Sequence, residues 1–181
     1  PIITKGGDLV NSVPADVRIE TYVRAKTMEA IEATHKKVDT ALKAGGDAVG
    51  AQTVIATMPG QLPLACNNRL NELFVTNAKI AEPNEAVKDA GHFSASTDMG
   101  DVSHLLPVIH PFIGGVDGFL HTADFHVVDF KHAVLLPAKA FAMMIIDLLA
   151  DDAELARQIK AEHHPLLTKE EYIAKLDKYF Q

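Results

Sequence analysis

The stretch from Ala133 to Ala150 constrains this chain more than any other part of its sequence. It is apolar along nearly its whole length, interrupted only by Pro137, Lys139 and Asp147. A membrane-spanning helix needs ~20 mostly apolar residues without such charges. The run therefore predicts a buried core helix, from about His132 to Leu149, packed on a sheet.

Composition agrees with a folded domain. The chain has 181 residues, 48% of them hydrophobic and 23% charged, which is enough for one proper core. A net charge of −7 without any block of Lys or Arg argues against nucleic acid or an anionic membrane as a partner. The single cysteine, Cys66, cannot form an internal disulfide and reads as a small buried hydrophobe in a reducing, cytoplasmic compartment. No charged segment followed by an apolar stretch opens the chain, so no signal peptide is read. The start at Pro1, already within the strand-like Pro1-Ile2-Ile3-Thr4, reads as a truncated or processed chain.

Residues 1–60 predict a small α+β unit. Gly6-Gly7-Asp8 is a turn signal between two strands. From Val17 to Val23, Val17, Ile19, Thr21 and Val23 alternate with Arg18, Glu20 and Tyr22, as a half-buried strand requires. Thr27 can cap a helix with Met28, Ile31, Val38, Ala41 and Leu42 on one stripe, interrupted at Gly45-Gly46. Thr53 to Met58 reads as a third strand. The prolines of Pro59 to Pro63 mark a boundary, and residues 61–181 form the second unit. There Asn67 or Asn68 caps a helix whose stripe is Leu70, Leu73, Phe74, Asn77 and Ala78. Leu105 to Gly115 reads as a buried strand. Two amphipathic helices close the chain, the last opened by the capping box Thr168-Lys169-Glu170-Glu171, with Tyr172, Ile173, Leu176 and Phe180 on its inner face.

Six of the nine histidines, His92, His104, His110, His121, His126 and His132, lie between residues 92 and 132. His35 and His163-His164 read as solvated surface. Zinc takes three or four N, S or O ligands, but no local signature such as H-E-x-x-H is present. By spacing alone, these histidines read equally as hydrogen-bonding groups in loops around a sheet edge.

Three segments together resemble the aminoacylase–carboxypeptidase superfamily of two-metal hydrolases, and within it the branch that contains the aminobenzoyl-glutamate hydrolases. They are Gly6-Gly7-Asp8-Leu9-Val10-Asn11-Ser12-Val13-Pro14 with Arg24 beyond it, Ser96-Thr97-Asp98 in a glycine-flanked loop, and Leu120-His121-Thr122 before a long helix. The resemblance implies an α/β fold. Residues 1–60 would be part of an α+β lid and dimerisation domain. Residues 61–181 would be the C-terminal part of a zinc-exopeptidase-like catalytic domain, a mixed sheet flanked by helices. It further implies His121 as a metal ligand and Asp98 as an acid ordering the loop behind the ligands. Ser96 and Thr97 would shape that loop at the substrate, and Asn11 and Arg24 would bind the substrate's polar groups, the guanidinium suiting a carboxylate. His104 and His110 align with no family ligand and read as structural.

The implied activity is hydrolysis of the amide bond of an N-acyl or N-aroyl amino acid, or of a dipeptide, by a homodimer. Two divalent metals, zinc or alternatively manganese, would activate a water. The family's first histidine, bridging acid, Glu-Glu pair and a further ligand map to no residue here, so the general-base glutamate is expected upstream of Pro1. Two alternatives stand beside this reading. One is a non-catalytic split subunit or remnant that keeps the fold and dimer surface. The other is a self-contained metalloprotein using His104, His110 and His121.

Assayed by itself with added zinc or manganese, the 1–181 chain is expected to show no appreciable hydrolysis of N-acyl amino acids or aminobenzoyl-glutamate, because a catalytic zinc needs three protein ligands. Metal-dependent turnover well above that of a His121→Ala variant would contradict this.

Overall fold

A computed structural model describes residues 1–84, 86–88, 91 and 95–178. The core is a helix pair. The side chain of Asn67 accepts a hydrogen bond from the Leu70 N–H (3.0 Å) and so starts α2, Asn68–Ala81. Leu70, Phe74 and Ala78, spaced four apart, put one apolar stripe on that helix. It packs against Ala140, Met144 and Ile159 of α4, Leu136–Glu162, with Ile109, Ile113 and Leu155 at the margins. Ala140 is 0% exposed, so the two helices meet there without room for a larger side chain. Phe74 and Phe141 stack tilted across the pair, with ring centroids 5.2 Å apart.

Asp147, the one acid within the apolar run, has a structural task. Asn77 of α2 is 2% exposed, and its amide donates to Asp147 Oδ2 (2.7 Å) and to the Leu73 carbonyl (3.1 Å). A polar group this deep is tolerated only when it is hydrogen-bonded.

The expectation of a fully buried core helix needs correction. A π-helical turn, Lys131–Leu135, leads into α4, and the helix changes direction where Asp151, Asp152 and Ala153 take left-handed φ values of 48, 57 and 58°. The first of the two closing amphipathic helices is the part of α4 beyond that bend, which returns Ile159 to the core. Ahead of the bend only a narrow stripe is covered: Ile145, Ile146 (67% exposed) and Leu149 face outward. By length and composition alone Lys131–Glu162 could cross a membrane. The total accessible surface is 13480 Å², against the ~8,600 Å² of a compact monomer of this mass.

The sheets also differ from expectation. Among the described residues there is no mixed sheet, only two antiparallel pairs. β1 (Ile2–Lys5) pairs with β2 (Arg18–Glu20), Ile2 opposite Glu20 and Ile3 opposite Ile19, with a bulge before Lys5 meets Arg18. The strand foreseen over Val17 to Val23 is this short because its partner is only four residues long. β3 (Val116–Asp117) pairs with β4 (His126–Val127). Thr53 to Met58 and Leu105 to Gly115 are irregular rather than strands. In the second, Pro107 and Pro111 lack the N–H groups a ladder needs. One of its carbonyls is met from the segment before α2, where Asn67 N–H donates to the Val108 carbonyl (2.8 Å), and just ahead of it the His104 ring Nε2 lies 2.9 Å from the Pro63 carbonyl.

α1, Met28–Ala48, is capped by Thr27 and runs through Gly45-Gly46 without a break. Gly46 is required there by contact, because a Cβ would collide with the Thr53 hydroxyl. α3, Met99–Ser103, is a single turn. α5, Lys169–Asp177, opens with the foreseen capping box, Thr168 and Glu171 each accepting from the other's backbone. The Thr168 N–H, followed by its hydroxyl, holds the Glu171 carboxyl below its usual range. α5 is tied to the body by Leu167 N–H to the His104 carbonyl (3.0 Å) and by Tyr172 Oη to Asp101 Oδ1 (3.2 Å). Phe180 lies outside the described residues.

Ala140→Leu should destabilise the protein by ~1–3 kcal/mol through overpacking of the α2–α4 contact, while Ile146→Leu should change stability by less than ~0.5 kcal/mol. Urea unfolding midpoints of the two variants check this; equal midpoints would contradict it.

Candidate functional site

His121 sits on the loop of the β3–β4 hairpin. The tip turns sharply: Gly118 has φ +86°, and its N–H donates to Asp117 Oδ1 (2.9 Å). The Thr122 hydroxyl meets the Phe119 carbonyl (2.6 Å) and also the Asp124 carboxylate. His126 Nδ1 faces the Asp124 carbonyl at 2.6 Å. This web leaves His121 exposed, with φ +67°, a left-handed backbone that costs a non-glycine residue ~1–2 kcal/mol. An imidazole carried at that cost on a loop tip is a candidate functional group.

The hairpin stands on α4 through Asp129. The Val128 and Asp129 N–H groups both donate to the Gly115 carbonyl (3.0 and 3.1 Å). The Asp129 carboxylate accepts from the His132 N–H (3.2 Å) and lies 2.6 Å from His132 Nδ1. The His132 ring, followed by its N–H, holds the Asp129 carboxyl below the usual carboxylate range. Asp129 is therefore ionised at neutral pH, and Nδ1 carries the proton it donates.

The second predicted segment lies before and within α3. Ser96 is exposed and Thr97 half-buried. The Thr97 hydroxyl donates to Asp98 Oδ1 (3.2 Å), and Met99 N–H approaches the same hydroxyl (3.4 Å). Gly100 follows, packed so closely on Leu62 that a Cβ would strike its carbonyl. Asp98 stands exposed at the head of α3 without capping it.

Asn11 is exposed in the turn Leu9–Ser12 of the β1–β2 connection. Arg24 lies beyond the end of β2, exposed, with its guanidinium 5.0 Å from the centroid of the Tyr22 ring. No hydrogen bond or ion pair among the described residues joins Asn11, Arg24, the Ser96–Asp98 loop and His121 to one another. The structure places each of them at an exposed or half-buried position and does not gather them into one cleft.

The remaining histidines divide by burial. His104 is buried on the Pro63 carbonyl, as expected of a structural residue. His110 stands edge-on to Phe112, with its Nδ1 buried and without a hydrogen-bond partner among the described residues. His35 pairs with Asp39 (3.4 Å) on α1. His163 corrects the solvated-surface expectation: it ends α4 with Nε2 buried and likewise unpartnered, because the chain turns it toward a cavity of about 370 Å³ that Cys66, Arg69 and Ile159 also line. Cys66 is part-buried, and burial pushes its thiol up. His92 lies outside the described residues.

Sequence reading missed the Asp129–His132 pair. Its signal was available: an aspartate three residues ahead of a histidine at a helix start is an N-capping spacing.

Among the described residues no three His, Cys, Asp or Glu side chains are grouped to hold a metal ion. A catalytic zinc takes three protein ligands, so this donor set does not by itself fit a two-metal centre.

The chain is similar to the Xaa-Arg dipeptidase of Mus musculus, 30% identical over 162 residues, which covers 85% of this chain and 38% of that protein. It is also similar to the Xaa-Arg dipeptidase of Homo sapiens, 26% identical over 180 residues, covering 95% of this chain and 41% of that protein. Its relatives are peptidases. Neither of these two is an aminobenzoyl-glutamate hydrolase. The chain thus spans roughly two fifths of the length of the curated relatives it matches. No protein-family profile and no solved structure matches it.

Because His121 holds a left-handed backbone, His121→Gly should leave thermal stability unchanged or raise it, by up to ~1 kcal/mol, and the β-branched His121→Val should lower it. Melting curves of the two variants test this, and a more stable His121→Val would contradict the strained geometry.

Proposed function

We propose that this chain is part of a hydrolase that cleaves the amide bond of a dipeptide, with a cationic second residue as the favoured substrate class. The similarity to two Xaa-Arg dipeptidases over most of its length carries this reading. Between N-acyl or N-aroyl amino acids and dipeptides, it supports the dipeptide reading.

In this reaction a water oxygen adds to the scissile carbonyl carbon, the C–N bond breaks, and the departing amine takes a proton. In the whole protein a divalent metal, zinc or manganese, would supply the activated water when bound. His121 would be one of its ligands, completed by donors outside the described residues. This chain's own part is to bind and orient. Arg24, exposed at the end of β2, suits the dipeptide's free carboxylate, and Asn11 lies on the connection that would close over it. The Thr97–Asp98 hydrogen bond stiffens the loop that would meet the substrate.

Residues 1–60 would also pair two copies. Ile3 (69% exposed) and its cross-strand partner Ile19 lie uncovered on one face of the β1–β2 pair, an apolar patch suited to an interface.

Turnover of Xaa-Arg dipeptides by the protein at its native length should fall at least ~10- to 100-fold in His121→Ala. Arg24→Ala should lose ~2–5 kcal/mol of transition-state binding for free dipeptides, and far less for the same dipeptides with an amidated carboxyl. Absence of dipeptide hydrolysis, or unchanged kcat/KM in His121→Ala, would overturn the assignment.

A further inference from the structure

The β3–β4 hairpin that carries His121 has only two residue pairs in its ladder, Val116 with Val127 and Asp117 with His126. A two-stranded ribbon of that length is marginal in water and cannot set its own direction. Something outside the ladder has to aim the loop.

One residue joins the ribbon to the long helix. Asp129 closes the base of the hairpin with its N–H on the Gly115 carbonyl, and its own carbonyl accepts from the Ala133 N–H (2.9 Å) in the first helical turn. Its carboxylate takes the His132 N–H and the His132 ring. Both backbone groups and the side chain of a single residue are thus committed to one joint. Gly115 lies against the same joint at φ +88°. A Cβ there would come within 2.6 Å of the Ala133 nitrogen and of the Asp129 carbonyl. Position 115 thus has no room for a side chain, and the hairpin base lies in direct contact with the first turn of the helix.

We propose that Asp129, oriented by His132 and seated against Gly115, is the positioning residue that sets where the His121 imidazole points. The inference rests on the reading of His121 as a working group of the hydrolase. The chain of constraint runs from the packed helix α4 through the carboxylate to the hairpin base, and from there along eight residues to the loop tip. The nearby π-helical turn Lys131–Leu135 belongs to this device, since such turns are frequent at functional sites. The carboxylate accepts one hydrogen bond from the backbone and one from the ring. An amide in its place keeps the first and presents an N–H to the second.

The test compares Asp129→Ala, Asp129→Asn and His121→Ala in the protein at its native length. Amide hydrogen exchange is read at Val128 and Ala133, with Asn77 and Ala140 as core references. Dipeptide turnover is measured in parallel. Asp129→Ala should speed exchange at Val128 and Ala133 at least ~10-fold, leave the core amides unchanged, and lower kcat more than it raises KM. Asp129→Asn should recover part of both. Unchanged exchange at the joint overturns the inference, as does an equal loss at Asn77 and Ala140. A loosened joint with full turnover, in a protein that His121→Ala inactivates, overturns it too. Full turnover in His121→Ala is a different result: it removes the assigned role of His121, while the exchange data still decide whether Asp129 holds the hairpin.

Discussion

The contact between α2 and α4 is the interaction on which the rest of this structure depends. Two apolar stripes meet at Ala140, with Phe74, Ala78 and Met144 around it. Nothing else among the described elements buries a comparable cluster. The β1–β2 and β3–β4 pairs are exposed, and α1 and α5 contain no fully buried residue. The polar bond from Asn77 to Asp147 gives this contact its register. An apolar seam can slide by a turn, whereas a buried amide facing a carboxylate is satisfied at one setting only.

Three attachments carry that register outward. The Ser96–Asp98 loop ends in α3, where Gly100 packs on Leu62 and Asp101 takes the Tyr172 hydroxyl. The segment 63–67 lies along 103–108 by hydrogen bonds rather than as a strand. The His121 hairpin rises from the start of α4. The candidate residues Ser96, Thr97, Asp98 and His121 lie on loops attached to this scaffold, the usual division between scaffold and site.

The electrostatics follow the same division. Exposed ion pairs such as Lys175–Glu32 (4.0 Å) and Arg157–Asp152 (3.1 Å) contribute little. The informative shift is at Asp129, where a carboxyl is held ionised by the histidine it orients. A large apolar surface, including Ile145, Ile146 and Leu149 on α4, remains open to solvent. A helix that is hydrophobic nearly all round is made to be covered on more than one side.

The sequence by itself determined what depends on near neighbours. The cap of α2, read as Asn67 or Asn68 and found at Asn67, its stripe of Leu70, Leu73, Phe74, Asn77 and Ala78, the Thr27 cap and the Thr168–Glu171 capping box are all set by residues close together in the chain. The motif residues Asn11, Arg24, Ser96, Thr97, Asp98 and His121 were legible as types in loops, but not as a gathered site. Only the tertiary structure decided the rest. Whether Thr53 to Met58 or Leu105 to Gly115 becomes a strand depends on a partner strand, which local pattern cannot supply. His163 is inward-facing because α4 bends at Asp151 and returns to the core. His121 stands exposed at φ +67° on a loop that the pairing of Val116–Asp117 with His126–Val127 closes. Contacts between residues far apart in the chain made these choices, and a periodicity read along the chain does not contain them.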